Sequence, residues 1–197
     1  MATKIVGRCG TAMKTVVVFV EEPSAEIVVL DLAKRFIPHA AVSVIPHSGK
    51  TDLKNSFPKK IGAWVHPRDA KFIILHDNDG ANCKKLKSRL MSYVPGEKKN
   101  RCWVRIVVQE LESWYLGDLY ALSKAGLMTD GQVNALVRKS KFREPDRLGN
   151  AKQEFMKLHD LVGQRLLARQ IAPHLDPQRS SSPSFKLFVE TLKKLSQ

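Results

Sequence analysis

Cysteine is scarce: three in 197 residues, Cys9, Cys83 and Cys102. No Cys-x-x-Cys pair occurs, and an odd number at wide spacing suits neither a zinc ribbon nor a disulfide framework. A reducing, cytoplasmic setting is the expectation. Long apolar runs are also missing: none approaches the ~20 residues of a membrane span, and no signal peptide is read at the start. There is no internal repeat, and no low-complexity stretch beyond Ser180 to Ser182. Acids are the minority charge, 19 against 33 Lys and Arg, which leaves a net charge of +14 and a pI near 9.9. Such a surplus points to a polyanionic partner, most often nucleic acid. The length and a hydrophobic content of 43% suit one globular domain with a smaller appendage. That is enough chain to bury a core without staples.

The first twelve residues carry no period and precede a second methionine, Met13, where translation can also begin; they read as a tail. From there the pattern alternates. Thr15 to Val20 reads as a strand. A helix follows with Ser24 as its cap and Ile27, Leu30, Ala33, Phe36 and Ile37 on one face, stopped by Pro38. Residues 41–46 read as a second strand, and 50–65 as a short helical region interrupted at Pro58. Residues 71–77 form a continuous apolar run, as in a parallel strand buried on both faces. A helix over 82–94 with Leu86, Leu90 and Met91 inward leads to a fourth strand over 102–109. One long helix then runs from Glu110 to Gly126. This order predicts an α/β fold: a mostly parallel sheet of about four strands with helices on both faces, over 13–125. Beyond it, 126–197 reads as a helical C-terminal extension, with polar loops at 141–150 and 173–183.

Three of the four strands end in acids. Glu21 and Glu22 follow the first, Asp77 and Asp79 end the third, and Glu110 and Glu112 follow the fourth. Ligands of parallel sheets bind beyond the carboxyl ends of the strands. Gathering acids there costs repulsion unless a cation relieves it, and Mg²⁺ is held by a few carboxylates and several waters. On an extended strand Asp77 and Asp79, two apart, point to the same face, about 7 Å apart. Two metals about 4 Å apart fit between such a pair and a third acid, with Glu21 as the natural third. The competing readings are a solvated turn for Asp77 and Asp79, and helix-dipole stabilisation for Glu110 and Glu112. Glu110 is the better placed of the last two if the helix starts there.

The stretches VVVFVEEPSAE and FIILHDNDGANC resemble the Toprim domain of topoisomerases, primases and overcoming-lysogenization-defect nucleases. In that fold a glutamate follows the first strand and an Asp-x-Asp ends a later central one, together binding Mg²⁺ for cutting or joining phosphodiesters. The resemblance implies metal-ligand and catalytic roles for Glu21, Asp77 and Asp79. Glu22 stands where a glycine is usual, so either Glu21 or Glu22 can be the ligand. Together VEEPSAE, SGKTDL, DNDGANC, QELESWYLGD and IAPHLDPQRSSSPSF are similar to an uncharacterised bacterial Toprim-like family. Its members are often encoded beside AAA or ABC-type ATPases in phage-defence and abortive-infection loci. This resemblance implies an ATPase partner, functional roles for ELESWYLGD and PHLDPQRS, and Glu110 or Glu112 completing the site.

The expectation is therefore a Mg²⁺- or Mn²⁺-dependent nuclease in which Glu21, Asp77, Asp79 and Glu110 are catalytic and Glu21, Glu22, Asp77, Asp79 and Glu112 bind metal. Lys50, in a Gly-Lys-Thr turn lacking the full P-loop glycine pattern, reads as a phosphate contact or as an ordinary basic turn. Lys84 and Lys85 lie beside the Asp pair, where they would guide a phosphate backbone. Arg179 reads either as a phosphate contact or as reaching back to the acids. His76 should face away from the carboxylates, and Trp114 and Tyr115 should pack the core. Ser182 and Pro183 read as a cap and first helical residue. A homodimer is one possible assembly. The alternative is a non-catalytic subunit that binds nucleic acid or an ATPase, with a structural ion or none. A phosphatase with an aspartate nucleophile fits less well, because its Asp-x-Asp belongs on the first strand.

Overall fold

A computed structural model describes residues 13–158 and 163–197, so the tail read at 1–12 lies outside the described residues. Four strands, β1 (Thr15–Val20), β2 (Ala41–Pro46), β3 (Lys71–Asp77) and β4 (Cys102–Val107), form one all-parallel sheet in the order β2-β1-β3-β4. The fold is α/β, with helices around the sheet and further helices in the C-terminal part. β1 is the reason the sheet must be covered on both sides. Val16, Val18 and Val20 enter one core and Val17 and Phe19 the other, all without solvent exposure. A strand buried on both faces shows no alternation of polarity.

One face is covered by α2 (Lys50–Gly62) and α3 (Cys83–Ser92). The other carries α1 (Pro23–Phe36) and the later helices: α4 (Glu112–Gly117), α5 (Leu119–Lys124), α6 (Asp130–Val137), α7 (Ala151–Met156), α8 (Gln164–Ile171) and α9 (Pro183–Leu195). This second core runs without a break from Val16 to Leu195, so residues on both sides of position 125 share it. α9 is tied directly to the sheet: Arg105 Nε donates to Thr191 Oγ1 (2.6 Å), and Lys71 Nζ donates to the Leu195 carbonyl (2.9 Å).

The helices depart from the sequence expectation in three places. α1 starts at Pro23, pre-set for the first helical position, with Glu22 rather than Ser24 at the cap position. Its buried face is Ser24, Val28, Val29, Leu32 and Ala33, while Leu30 is 42% exposed. The unbroken apolar run 27–30 hides the phase of the helix. α2 passes through Pro58, because Leu53, Phe57 and Ile61 at four-residue spacing anchor both sides of the missing N–H. The long helix expected after β4 is two short ones broken at Asp118, whose carboxylate is claimed by a tertiary contact. Ser182 does cap α9, its Oγ accepting from Phe185 N, with Pro183 first in the helix.

Candidate metal centre at the strand tips

Glu21 is the first residue past β1 and is 5% exposed. Its Oε1 accepts from the Asp77 backbone N–H (2.7 Å) and lies 2.9 Å from His76 Nδ1. One carboxylate oxygen is thereby spent on stitching β1 to β3, and Oε2 has no hydrogen-bond partner among the described residues. His76 Nδ1 also donates to the Asp77 carbonyl, while its buried Nε2 is unpartnered. The histidine expected to face away from the carboxylates therefore grips one of them. Alternation puts it opposite Asp77 along the strand, but the neighbouring strand supplies Glu21 on its own side.

Glu21, Glu22 and Asp77 line a small cleft of about 20 Å³, with Ser24, Ala25, Leu75, Val107 and Leu111. That is room for about one water-sized guest. Glu22 is exposed, with Ser24 Oγ 3.4 Å from its Oε2. Burial pushes the Asp77 carboxyl well above the usual carboxylate range, helped by the charges of Glu21, Glu112 and Glu22 and opposed by Lys50. Glu112 is buried and also raised, chiefly by burial, with its own backbone hydrogen bond and Lys152 acting against the rise. The Tyr115 phenol is raised too, by burial first and then by Glu112, Asp77 and Glu22. These groups share one under-neutralised region at the carboxyl edge of the sheet.

The remaining acids go elsewhere. β3 ends at Asp77, and the chain turns at once: Asp79 has φ +43° and Gly80 φ +77°. The i, i+2 rule for strands therefore does not reach Asp79. It is half exposed and paired with Lys50. Asn78 builds this turn, its N–H donating to the Val107 carbonyl (3.2 Å) and its Oδ1 accepting from Gln109 N. Lys50 is delivered by the loop after β2, where Gly49, at φ +93°, donates to the Glu21 carbonyl (2.9 Å). Glu110 accepts from the Lys152 backbone N–H (3.0 Å), a cap on α7. Among the described residues no three His, Cys, Asp or Glu side chains converge as a ready-made cation cage. Lys84 and Lys85 are exposed on the first turn of α3, capped by Asn82 Oδ1 accepting from Lys85 N (3.0 Å).

Arg179 is not near the strand tips. Its guanidinium donates from Nε (3.2 Å) and Nη2 (2.9 Å) to Asp118, whose side chain is fully buried, and from Nη1 to Asp176 (2.9 Å). Asp118 also accepts from Asp176 N (2.9 Å). Gly117 lies beneath: a Cβ there would meet Ser180 Oγ at 2.9 Å and Ser182 Cβ at 3.0 Å, and Ser181 N donates to its carbonyl (2.7 Å). The stretches LGD and PHLDPQRSSS are thus two halves of a clasp. Trp114 packs the core beside Phe185 and Phe188 and donates to Ser184 Oγ (3.0 Å). Sequence reasoning missed His76 and Tyr115 at the site. The apolar setting of KFIILHD and SWYLG signals burial and says nothing of which polar tips meet acids.

A family model described as "Domain of unknown function (DUF4276)" matches residues 20–193. No curated protein matches the chain. Among solved structures, it is similar to the C-terminal region of the Xanthomonas campestris pv. campestris OLD protein, with a TM-score of 0.55 and 14% identity over 91% of this chain and 94% of that one. It is similar also to the C-terminal region of the Burkholderia pseudomallei OLD protein, with a TM-score of 0.54 and 15% identity over 92% and 98%. At such identity the likeness establishes the fold. No helix of the described residues is long and apolar enough to cross a membrane.

Proposed function

The chain belongs to the DUF4276 family, and from that premise we propose that it is a Mg²⁺- or Mn²⁺-dependent nuclease acting on DNA or RNA phosphodiesters. The observation that carries this reading is the cluster of Glu21, Glu22 and Asp77 around a cleft at the carboxyl edge of the sheet, with the Asp77 carboxyl displaced upward by acids nearby. A structural acid acquires a partner; this one is surrounded by like charge.

The residues fit a hard divalent ion. Mg²⁺ is held by one or two carboxylates, with waters and substrate phosphate oxygens completing its shell, so a three-acid cage is not needed. Glu21, through Oε2, and Asp77 would hold it, with Glu22 at the mouth and Asp79 available if Lys50 releases it. Bound there, the ion would polarise the scissile phosphate and stabilise the charge that develops on it. His76 positions Glu21 by holding Oε1. Lys50 would move from Asp79 to a phosphate oxygen, and Lys84 and Lys85 would hold the backbone of the strand. Glu110 and Arg179, which cap α7 and close the clasp, are left out of the chemistry. The resemblance adds an ATPase partner, a phage-defence setting in the cytoplasm and a homodimer to the proposal.

A second reading, a nucleic-acid-binding or ATPase-binding subunit without catalysis, draws on the pairing of Asp79 with Lys50, which leaves that aspartate already neutralised. Cleavage of labelled single- and double-stranded DNA and RNA with Mg²⁺ or Mn²⁺ separates the two. The nuclease reading expects metal-dependent products that vanish in Asp77→Asn and Glu21→Gln while binding persists. Binding without products in the wild type, with and without an ATPase, would favour the second.

A further inference from the structure

A second cavity, of about 320 Å³, opens beside the carboxylate cleft and shares Ser24 and Leu111 with it. Its volume lies at the small end of the ~300–1,000 Å³ typical of ligand pockets, which suits a flat heterocycle rather than a length of chain. Leu111, Phe155 and Leu167 make its walls apolar. Set into them are Glu112, Lys152 and Tyr115. Tyr115 is 3% exposed, and its hydroxyl has no hydrogen-bond partner among the described residues. It lies on the side where Glu112, Asp77 and Glu22 exert their charge. A buried polar group left unmet is costly, and Tyr115 sits where a guest in this cavity would meet it. Glu112 is 8% exposed and bonds its own backbone, which leaves acceptor capacity toward the cavity.

We propose that this cavity takes a nucleobase of the substrate strand, guanine ahead of the other bases. The inference rests on the phosphodiester reading of the neighbouring cleft, because only a nucleic-acid strand would place a phosphate in one cavity and a base in the next. An aromatic wall offers a stacking face for any base. The edge contacts discriminate. A carboxylate accepts two parallel N–H groups, and guanine alone presents two adjacent donors, its ring N–H and amino group. Lys152 then meets the carbonyl oxygen beside them, and the Tyr115 hydroxyl donates to a remaining acceptor. Adenine and cytosine offer only the amino group to Glu112, and uracil or thymine a single ring N–H.

The test is binding of GMP, AMP, CMP and UMP to the full chain in EDTA, by calorimetry and by saturation-transfer NMR. Neither measurement depends on metal or cleavage. Expected is saturable binding of GMP with saturation transferred to its base proton, and roughly tenfold or more weaker binding of the other three. Glu112→Gln and Tyr115→Phe, which preserve shape, should each weaken GMP, Glu112→Gln by roughly tenfold. Leu167→Trp should block it by filling the cavity, while Asp77→Asn leaves it intact. No nucleotide binding, equal binding of all four, or GMP binding indifferent to all three pocket variants would overturn the proposal. GMP binding in a chain that never cuts nucleic acid would instead overturn the nuclease reading and leave the guanine site standing.

Discussion

Two clusters of acids sit in this molecule, and they are treated in opposite ways. At the clasp, Asp118 is fully buried yet accepts from a backbone N–H and from two nitrogens of Arg179. At the strand tips, Asp77 has Glu21, Glu22 and Glu112 for neighbours, and its carboxyl is displaced upward, first by burial and then by those charges. The first arrangement satisfies a buried charge and holds α4, α5 and the 173–183 loop together. The second leaves charge unsatisfied on a rigid edge, where stability is commonly given up for function. Invariance of spacing in sequence would not separate the two, since both are short motifs rich in acids. The partner groups do.

Breaking the clasp should have the largest effect. Asp118→Ala strands the Arg179 guanidinium and the Asp176 N–H. Allowing for the guanidinium being about a third exposed, the loss should be roughly 3 kcal/mol, read as a lower urea midpoint at unchanged slope. Next comes Gly117→Ala, whose methyl would press on Ser180 and Ser182. It should cost about 1–3 kcal/mol in the same experiment, with metal affinity per folded molecule unchanged. The strand tips should respond with the opposite sign. Asp77→Asn removes a like charge from the cluster and should raise the stability of the metal-free protein by about 1 kcal/mol. It should also abolish the rise in melting temperature that Mg²⁺ gives the wild type.

The smallest effect is a pH dependence remote from both clusters. Lys141 and Lys157 flank Glu154 and hold its carboxyl down at about 2. A depressed carboxylate contributes stability that is present above its unfolded value of about 4.3 and lost as pH falls through the folded one. Melting temperature should therefore fall between about pH 4.5 and pH 2 more steeply in the wild type than in Glu154→Gln. Equal slopes would remove this ion pair from the account.

How much of this could be read in advance differs by element. β1, β2 and β3 are bounded by turn residues and consist of unbroken apolar runs, so their limits and the parallel sheet were legible. The phase of α1 was not, because Ile27 to Leu30 are apolar all round. Nor was the passage of α2 through Pro58 or the break at Asp118, since both are decided by tertiary partners. At the site, Glu21 and Asp77 were legible as strand-end acids. Asp79 was misplaced by extending strand geometry one residue too far, into a turn that Gly80 makes possible. Tyr115 and His76 were hidden because burial was taken to exhaust their role. Arg179 was visible as a functional-looking loop residue, but its partner lies 61 positions away, and no local pattern encodes that pairing.

The central claim is that the strand-tip acids hold a divalent ion, and it is tested most directly by calorimetric titration of Mn²⁺ and Mg²⁺ into the wild type, Asp77→Asn and Asp118→Asn. Saturable binding in the wild type and in folded Asp118→Asn, lost in Asp77→Asn, is the predicted result. Absence of binding in the wild type, or equal binding in all three, would contradict the claim and return Glu21 and Glu22 to a solvated turn.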